Sequence, residues 1–206
     1  MKTIITISRQ YGSGGREIGR KLAEQLGVPF YDNEIISRAA KETGFSEAAF
    51  ETVEDKATNS LLYSIAMGMN VFTNQDAGFA GLSLDDRIFL AQSNVIRKVA
   101  EEGGCVIVGR CSDFILEEMK NSMHIYIYAP YDVRVQQSVE NLKLELSEAR
   151  QMIVDVDEAR DSYHMHYAGY LPDDKNHKDI LIDSSFLGVE KTAQYLAEAV
   201  RQKFGA

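Results

Sequence analysis

Thr3-Ile-Ile-Thr-Ile-Ser-Arg-Gln-Tyr-Gly-Ser-Gly-Gly-Arg-Glu-Ile-Gly19 passes from an apolar β pattern through a glycine turn into a helical pattern that closes with Leu22-Ala-Glu-Gln-Leu-Gly27. Strand, glycine turn and helix in that order aim backbone amides at a phosphate, because a helix N-terminus leaves N–H groups unpaired and carries the positive end of the macrodipole. A phosphorylated ligand is the expectation. The alternative is a plain βα turn in which the glycines only permit tight packing.

The turn departs from the full phosphate-loop pattern G-x-x-x-x-G-K-[ST], which ends in a lysine and a hydroxyl. Fixing the register by the downstream helix puts Gly15 at the lysine position. Sliding by one residue puts Arg16 there, with Glu17 at the usual magnesium-ligand position. Arg16 is the better chemical substitute, since a guanidinium keeps its charge and grips phosphate oxygens in bidentate fashion. Gly12, Ser13, Gly14, Gly15, Arg16 and Glu17 are therefore the candidate donor-phosphate site, with the metal ligands left open.

Working outward, 206 residues with 45% hydrophobic and 26% charged content fit one globular α/β domain with a real core. A net charge of −9 argues against a sequence-independent grip on nucleic acid, and points instead to local convergence of Arg9, Arg16, Arg38, Arg110, Arg134 and Arg160 on a small anion. Two cysteines, Cys105 and Cys111, give neither a disulfide framework nor a metal-finger spacing, which suits a reducing cytoplasm. No signal peptide is indicated. The most apolar window, Leu61–Phe72, is too short and interrupted for a membrane span.

Strands are expected at Thr3–Ser8, Pro29–Tyr31, Cys105–Val108, His124–Tyr128 and Ile180–Asp183. Helical patterns cover Gly14–Leu26, Asn33–Thr43, Leu84–Glu102, Ser112–Met119, Tyr131–Leu142, Ser147–Tyr167 and Gly188–Phe204. The alternation predicts a buried parallel sheet with helices on both faces. Ser83 with Asp86 reads as a helix start, and residues 43–81, which lack a strand pattern, as a helical insertion beside the cleft.

Four later segments carry chemistry. Phe30-Tyr-Asp-Asn-Glu-Ile-Ile-Ser-Arg38 sets Asp32 at a strand end and Arg38 six residues on. Gly104-Cys-Val-Ile-Val-Gly-Arg-Cys-Ser-Asp113 sets Gly109 and Arg110 at the carboxyl end of another strand, where open α/β sheets bind ligands. Ala129-Pro-Tyr-Asp-Val-Arg134 and Val156-Asp-Glu-Ala-Arg160 open and continue a helical pair. For each there is a structural alternative: Asp32 as a helix cap, Arg110 paired with a neighbouring acid, Arg134 and Arg160 in helix-surface salt bridges. His164-Met-His166 places two histidines on different helix faces, so metal binding is a poor reading and lid or surface positions are expected.

Across nearly the whole chain, and most closely in the phrase Ser8-Arg-Gln-Tyr-Gly-Ser-Gly-Gly-Arg-Glu17, the sequence resembles the cytidylate kinase-like family. Gly109 and Arg110 match the first two residues of that family's Gly-Arg-Asp motif, whereas Cys111 stands at the aspartate. The resemblance implies a three-layer P-loop NTP hydrolase-like fold with a five-stranded parallel sheet, one domain over 1–206, an acceptor-side insertion at 43–81 and a lid at 131–170. It implies phosphoryl transfer from ATP with Mg2+ to a nucleoside monophosphate, by default CMP or dCMP. On it, Arg16, Arg134 and Arg160 act on the transferring group, and Asp32, Arg38, Gly109 and Arg110 hold the acceptor. The missing lysine keeps a non-catalytic nucleotide sensor in play, and the insertion keeps a kinase for another small phosphoacceptor in play. A homodimer through the insertion is compatible with the pattern and not required by it.

Overall fold

A computed structural model of the protein describes residues 3–33, 35, 37, 38, 41 and 83–205. Strands β1 (Ile4–Arg9), β2 (Phe30–Tyr31), β3 (Cys105–Val108), β4 (Ser122–Tyr128) and β5 (Ile180–Asp183) form one parallel sheet in the order β2-β3-β1-β4-β5. The helices are α1 (Gly15–Leu26), α2 (Leu84–Glu102), α3 (Ser112–Ile115), α4 (Tyr131–Leu142), α5 (Leu146–Ala168) and α6 (Ser184–Phe204), with a 3-10 turn at Lys175–His177. The insertion expected at 43–81, the apolar window within it, and most of the helix expected at Asn33–Thr43 lie outside the described residues.

Alternation along the strands divides the core into two layers. Ile5 and Ile7 of β1, Val106 and Val108 of β3, and Ile125 and Ile127 of β4 pack against Ile18 and Leu22 of α1 and Leu196 and Val200 of α6. On the opposite face, Ile4 and Ile107 meet Ile88, Val95, Ile96 and Val99 of α2 together with Leu116 and Tyr163. Both faces are covered, so the strands read as continuous apolar runs. Ile88, Ala91, Val95, Ile96, Val99 and Ala100 make up the buried apolar stripe of α2. That helix starts with a capping box in which Ser83 Oγ accepts from Asp86 N at 3.1 Å and the Asp86 carboxylate accepts from Ser83 N.

Three boundaries differ from the sequence expectation by two residues or more. Strand β4 begins at Ser122, two residues early, because Ser122 and Met123 continue the register with Ile4 and Ile5. Helix α3 stops at Ile115 rather than running to Met119, its last turn closing at Leu116. Helix α6 gains a first turn from Ser184, where the Asp183 carboxylate accepts from Ser185 N at 2.8 Å, and Gly188 at φ 73° and ψ 168° kinks it before the amphipathic run.

β1 is central, and its neighbours β3 and β4 continue the chain to either side. Their carboxyl ends therefore form the crevice in which open α/β sheets bind ligands. The glycine turn follows β1 and Arg110 follows β3.

Candidate phosphate-binding cleft

A cleft of about 680 Å³ opens at these strand ends. Its walls include Arg9, Tyr11, Gly12, Gly14, Gly15, Arg16, Glu17, Arg20, Asp32, Arg110 and Arg160. Five arginines face two carboxylates there, in a chain whose net charge is −9. A locally positive, walled site of this kind concentrates anions.

The floor is the start of α1. Gly14 caps the helix at φ 75° with no side-chain hydrogen bond, so first-turn amides are left for a ligand. Gly12 also sits at φ 75°, and a Cβ there would lie 2.9 Å from the carbonyl oxygen of Arg134. Only glycine satisfies both the left-handed backbone and that approach. Ser13 is buried and turned away from the cleft. Its hydroxyl donates to Gln10 O at 2.8 Å and its carbonyl accepts from Ser184 Oγ at 2.6 Å, which binds the turn to the start of α6.

Arg16 reaches across to the residue that follows β2, its Nε 2.5 Å from Asp32 Oδ2. Gly109, Arg110 and Cys111 form a tight turn in which all three have positive φ (75°, 61° and 50°), a conformation that costs energy at the two non-glycine residues. The turn delivers the buried Arg110 into the cleft while Gly109 N donates back to Ile7 O at 2.9 Å. Arg160 enters from α5.

Two of the expected site arginines are also placed elsewhere. Arg134, read from the sequence as a lid arginine, is buried. Its Nη1 donates to Tyr11 O at 3.1 Å and to Asp157 Oδ2 at 2.5 Å, while Asp157 Oδ1 accepts from Tyr11 N at 2.7 Å. Both backbone groups of Tyr11 are thus held by one ion pair spanning α4 and α5. Arg38 lies over the Tyr31 ring, 5.0 Å from its centroid, and 3.8 Å from Glu102.

The sequence reading missed Asp157, whose role depends on meeting a residue 146 positions away. It also missed a buried polar cluster behind the Arg110 turn. Asp113 accepts from Lys178 Nζ at 2.5 Å and sits 3.0 Å from His164 Nε2, while His164 Nδ1 donates to Tyr170 O at 2.8 Å. His164 is therefore not a surface residue. Both its ring nitrogens lie within hydrogen-bond distance of oxygen atoms. Burial disfavours the Asp113 carboxylate, yet His164 and Lys178 outweigh it and hold the carboxyl far below the usual range.

No group of three or more metal-ligating side chains is assembled among the described residues. Magnesium is commonly held by one or two carboxylates plus substrate phosphates, and Glu17 in the first turn of α1 offers hard oxygens of that kind. No described helix is long and apolar enough to cross a membrane.

A glycine turn leading into a helix with no side-chain cap, at the switch point of a five-stranded parallel sheet, gives the chain a P-loop-type α/β fold. The profile of the cytidylate kinase-like family matches residues 4–186, and the chain belongs to that family. It is 24% identical to a cytidylate kinase of Methanopyrus kandleri over 97% of this chain and 94% of that protein. An uncharacterized protein of Eubacterium ventriosum has a similar crystal structure, with a TM-score of 0.69 and 24% identity over 96% of this chain and 98% of that one. Shikimate kinase of Acinetobacter baumannii in complex with shikimate shares the fold at TM-score 0.54 and 14% identity, over 98% and 94% of the two chains.

Proposed function

We propose that the protein transfers the γ-phosphoryl group of ATP to a nucleoside monophosphate, with CMP or dCMP as the leading acceptor. The observation that carries this reading is the meeting of Arg16, Asp32, Arg110 and Arg160, from separate parts of the chain, with the glycine turn in one cleft. Family membership and the likeness to a cytidylate kinase support the same reaction.

In this reading the amides of Gly12, Gly14 and Gly15 take the donor phosphates. Arg110, on a turn fixed to β1, holds the acceptor phosphate. Arg160 neutralises the group in transit, and Arg16, oriented by Asp32, stands between donor and acceptor. An acceptor phosphate oxygen forms its bond to the γ-phosphorus as the bond to the β,γ-bridging oxygen breaks, and ADP leaves. Positioning and charge neutralisation carry this chemistry, which needs little covalent help from the protein. Magnesium, held through Glu17 and the phosphates, would supply further neutralisation.

A coupled ADP-release assay with Mg·ATP against CMP, dCMP, UMP, AMP and non-nucleotide acceptors tests the proposal. Turnover with a cytidine nucleotide, lost in Arg110→Ala and Arg16→Ala, is the expected result. Tight nucleotide binding without turnover would instead leave a nucleotide sensor. One observation favours a different phosphoacceptor: Cys111 replaces the acid of the Gly-Arg-Asp motif, and the next acid, Asp113, is engaged with Lys178 and His164 behind the turn. Turnover confined to an acceptor other than a cytidine nucleotide would select that reading.

A further inference from the structure

Gly15 occupies the position at which a phosphate loop carries its lysine, and the reason for a glycine there is not conformational. Among the described residues seven glycines have positive φ and Gly15 is not one of them; it is the first residue of α1. Crowding is the cause. A Cβ at position 15 would lie 2.6 Å from the Cβ of Arg9 and 3.1 Å from its Cγ. The first distance is set by backbone alone, so no rotation of the Arg9 side chain relieves it. Positions 9 and 15 share one volume, and only one of them can bear a side chain.

Arg9 fills that volume. It is the last residue of β1, in register with Ile127 of β4, and it lines the cleft with Gly12, Gly14 and Gly15. Its side chain starts where that of a lysine at position 15 would start, and borders the same space. The other candidate, Arg16, points outward, its side chain 67% exposed. It sits at the rim.

We infer that Arg9 is the donor-phosphate cation of this site: the charge a phosphate loop normally takes from the first turn of its helix is supplied here from the end of the preceding strand, and Gly15 is its necessary counterpart. A guanidinium on a central strand is rigidly placed, stays charged at any working pH, and can bind two phosphate oxygens at once. The inference rests on the proposed reading only in taking the glycine turn as the donor-phosphate site.

The test compares wild type with Arg9→Met, Arg9→Lys, Arg9→Gly, Gly15→Lys and the double variant Arg9→Gly/Gly15→Lys. Binding of inorganic triphosphate and of Mg·ATP is read by calorimetry, turnover by ADP release, and folding by thermal melting. Arg9→Met should lower triphosphate affinity and kcat/KM for ATP by roughly 100-fold, the scale seen when one preorganised charge-stabilising group is removed. Arg9→Lys should retain part of both. Gly15→Lys alone should lose stability and binding through the clash, and the double variant, which moves the cation back to the helix, should bind triphosphate at least about tenfold more tightly than Arg9→Gly alone, the worth of one charge-assisted contact.

A folded Arg9→Met with undiminished triphosphate affinity overturns the inference. So does a folded double variant that binds no better than Arg9→Gly, which decides the matter even if Arg9→Met fails to fold. A wild type that transfers no phosphoryl group yet loses triphosphate binding on Arg9→Met would sink the kinase reading and uphold the role of Arg9. A wild type that binds no triphosphate at all would overturn both.

Discussion

Single residues in this protein are constrained by neighbours far away in sequence. Gly12 must keep a left-handed backbone and leave room for the Arg134 carbonyl 2.9 Å from its missing Cβ. Gly12→Ala should therefore cost roughly 2–4 kcal/mol, strain and overpacking together, measured by urea denaturation, and should abolish ATP binding. Cys105 illustrates the opposite case, a reactive group silenced by its setting. Burial, with a lesser push from the Glu102 carboxylate, raises its thiol to about 12. At pH 8 the native protein should show no iodoacetamide label on Cys105 by mass spectrometry, with labelling appearing on denaturation.

At the scale of elements, the α4–α5 pair is clasped to the glycine turn by Arg134 and Asp157, whereas Arg160, one turn beyond Asp157, faces the cleft. The two arginines should separate cleanly on substitution. Arg134→Met should cost about 2–3 kcal/mol in urea, somewhat below the value for a wholly buried pair because Asp157 is partly exposed. Arg160→Met should lower the unfolding midpoint less than Arg134→Met does, and should lower kcat. Helix patterns and the Ser83 cap were legible in the sequence because they depend on residues three or four apart. The division of labour between Arg134 and Arg160 was not, since both lie on helices and only their partners distinguish them.

For the whole molecule, acidity and salt are the informative variables. The Asp113 carboxyl lies below its unfolded value, so the stabilisation it provides is complete above that value, near pH 4, and is lost as pH falls below it toward the folded value. The urea midpoint should drop on acidification below about pH 4. Asp113→Asn should lose about 3–5 kcal/mol at neutral pH, because Lys178 is left buried without its counterion, and should show a shallower acid decline. Because an arginine-lined cleft opens in an acidic chain, ATP affinity measured by calorimetry should weaken as ionic strength rises.

Periodicity and the glycine turn determined the strands, most of the helices and the turn that follows β1, because these follow from contacts between near neighbours in the chain and from the preferences of the backbone itself. Asp32, Arg110 and Arg160 could be nominated by their positions at strand ends and on a helix. Only the tertiary structure decided that Arg134 serves as a clasp, that Asp113 and His164 are buried together, and that Arg9 takes the space Gly15 leaves vacant. Each of those outcomes is a question of which side chain fills one small volume or meets one charge after distant segments pack, and linear spacing holds no record of that competition.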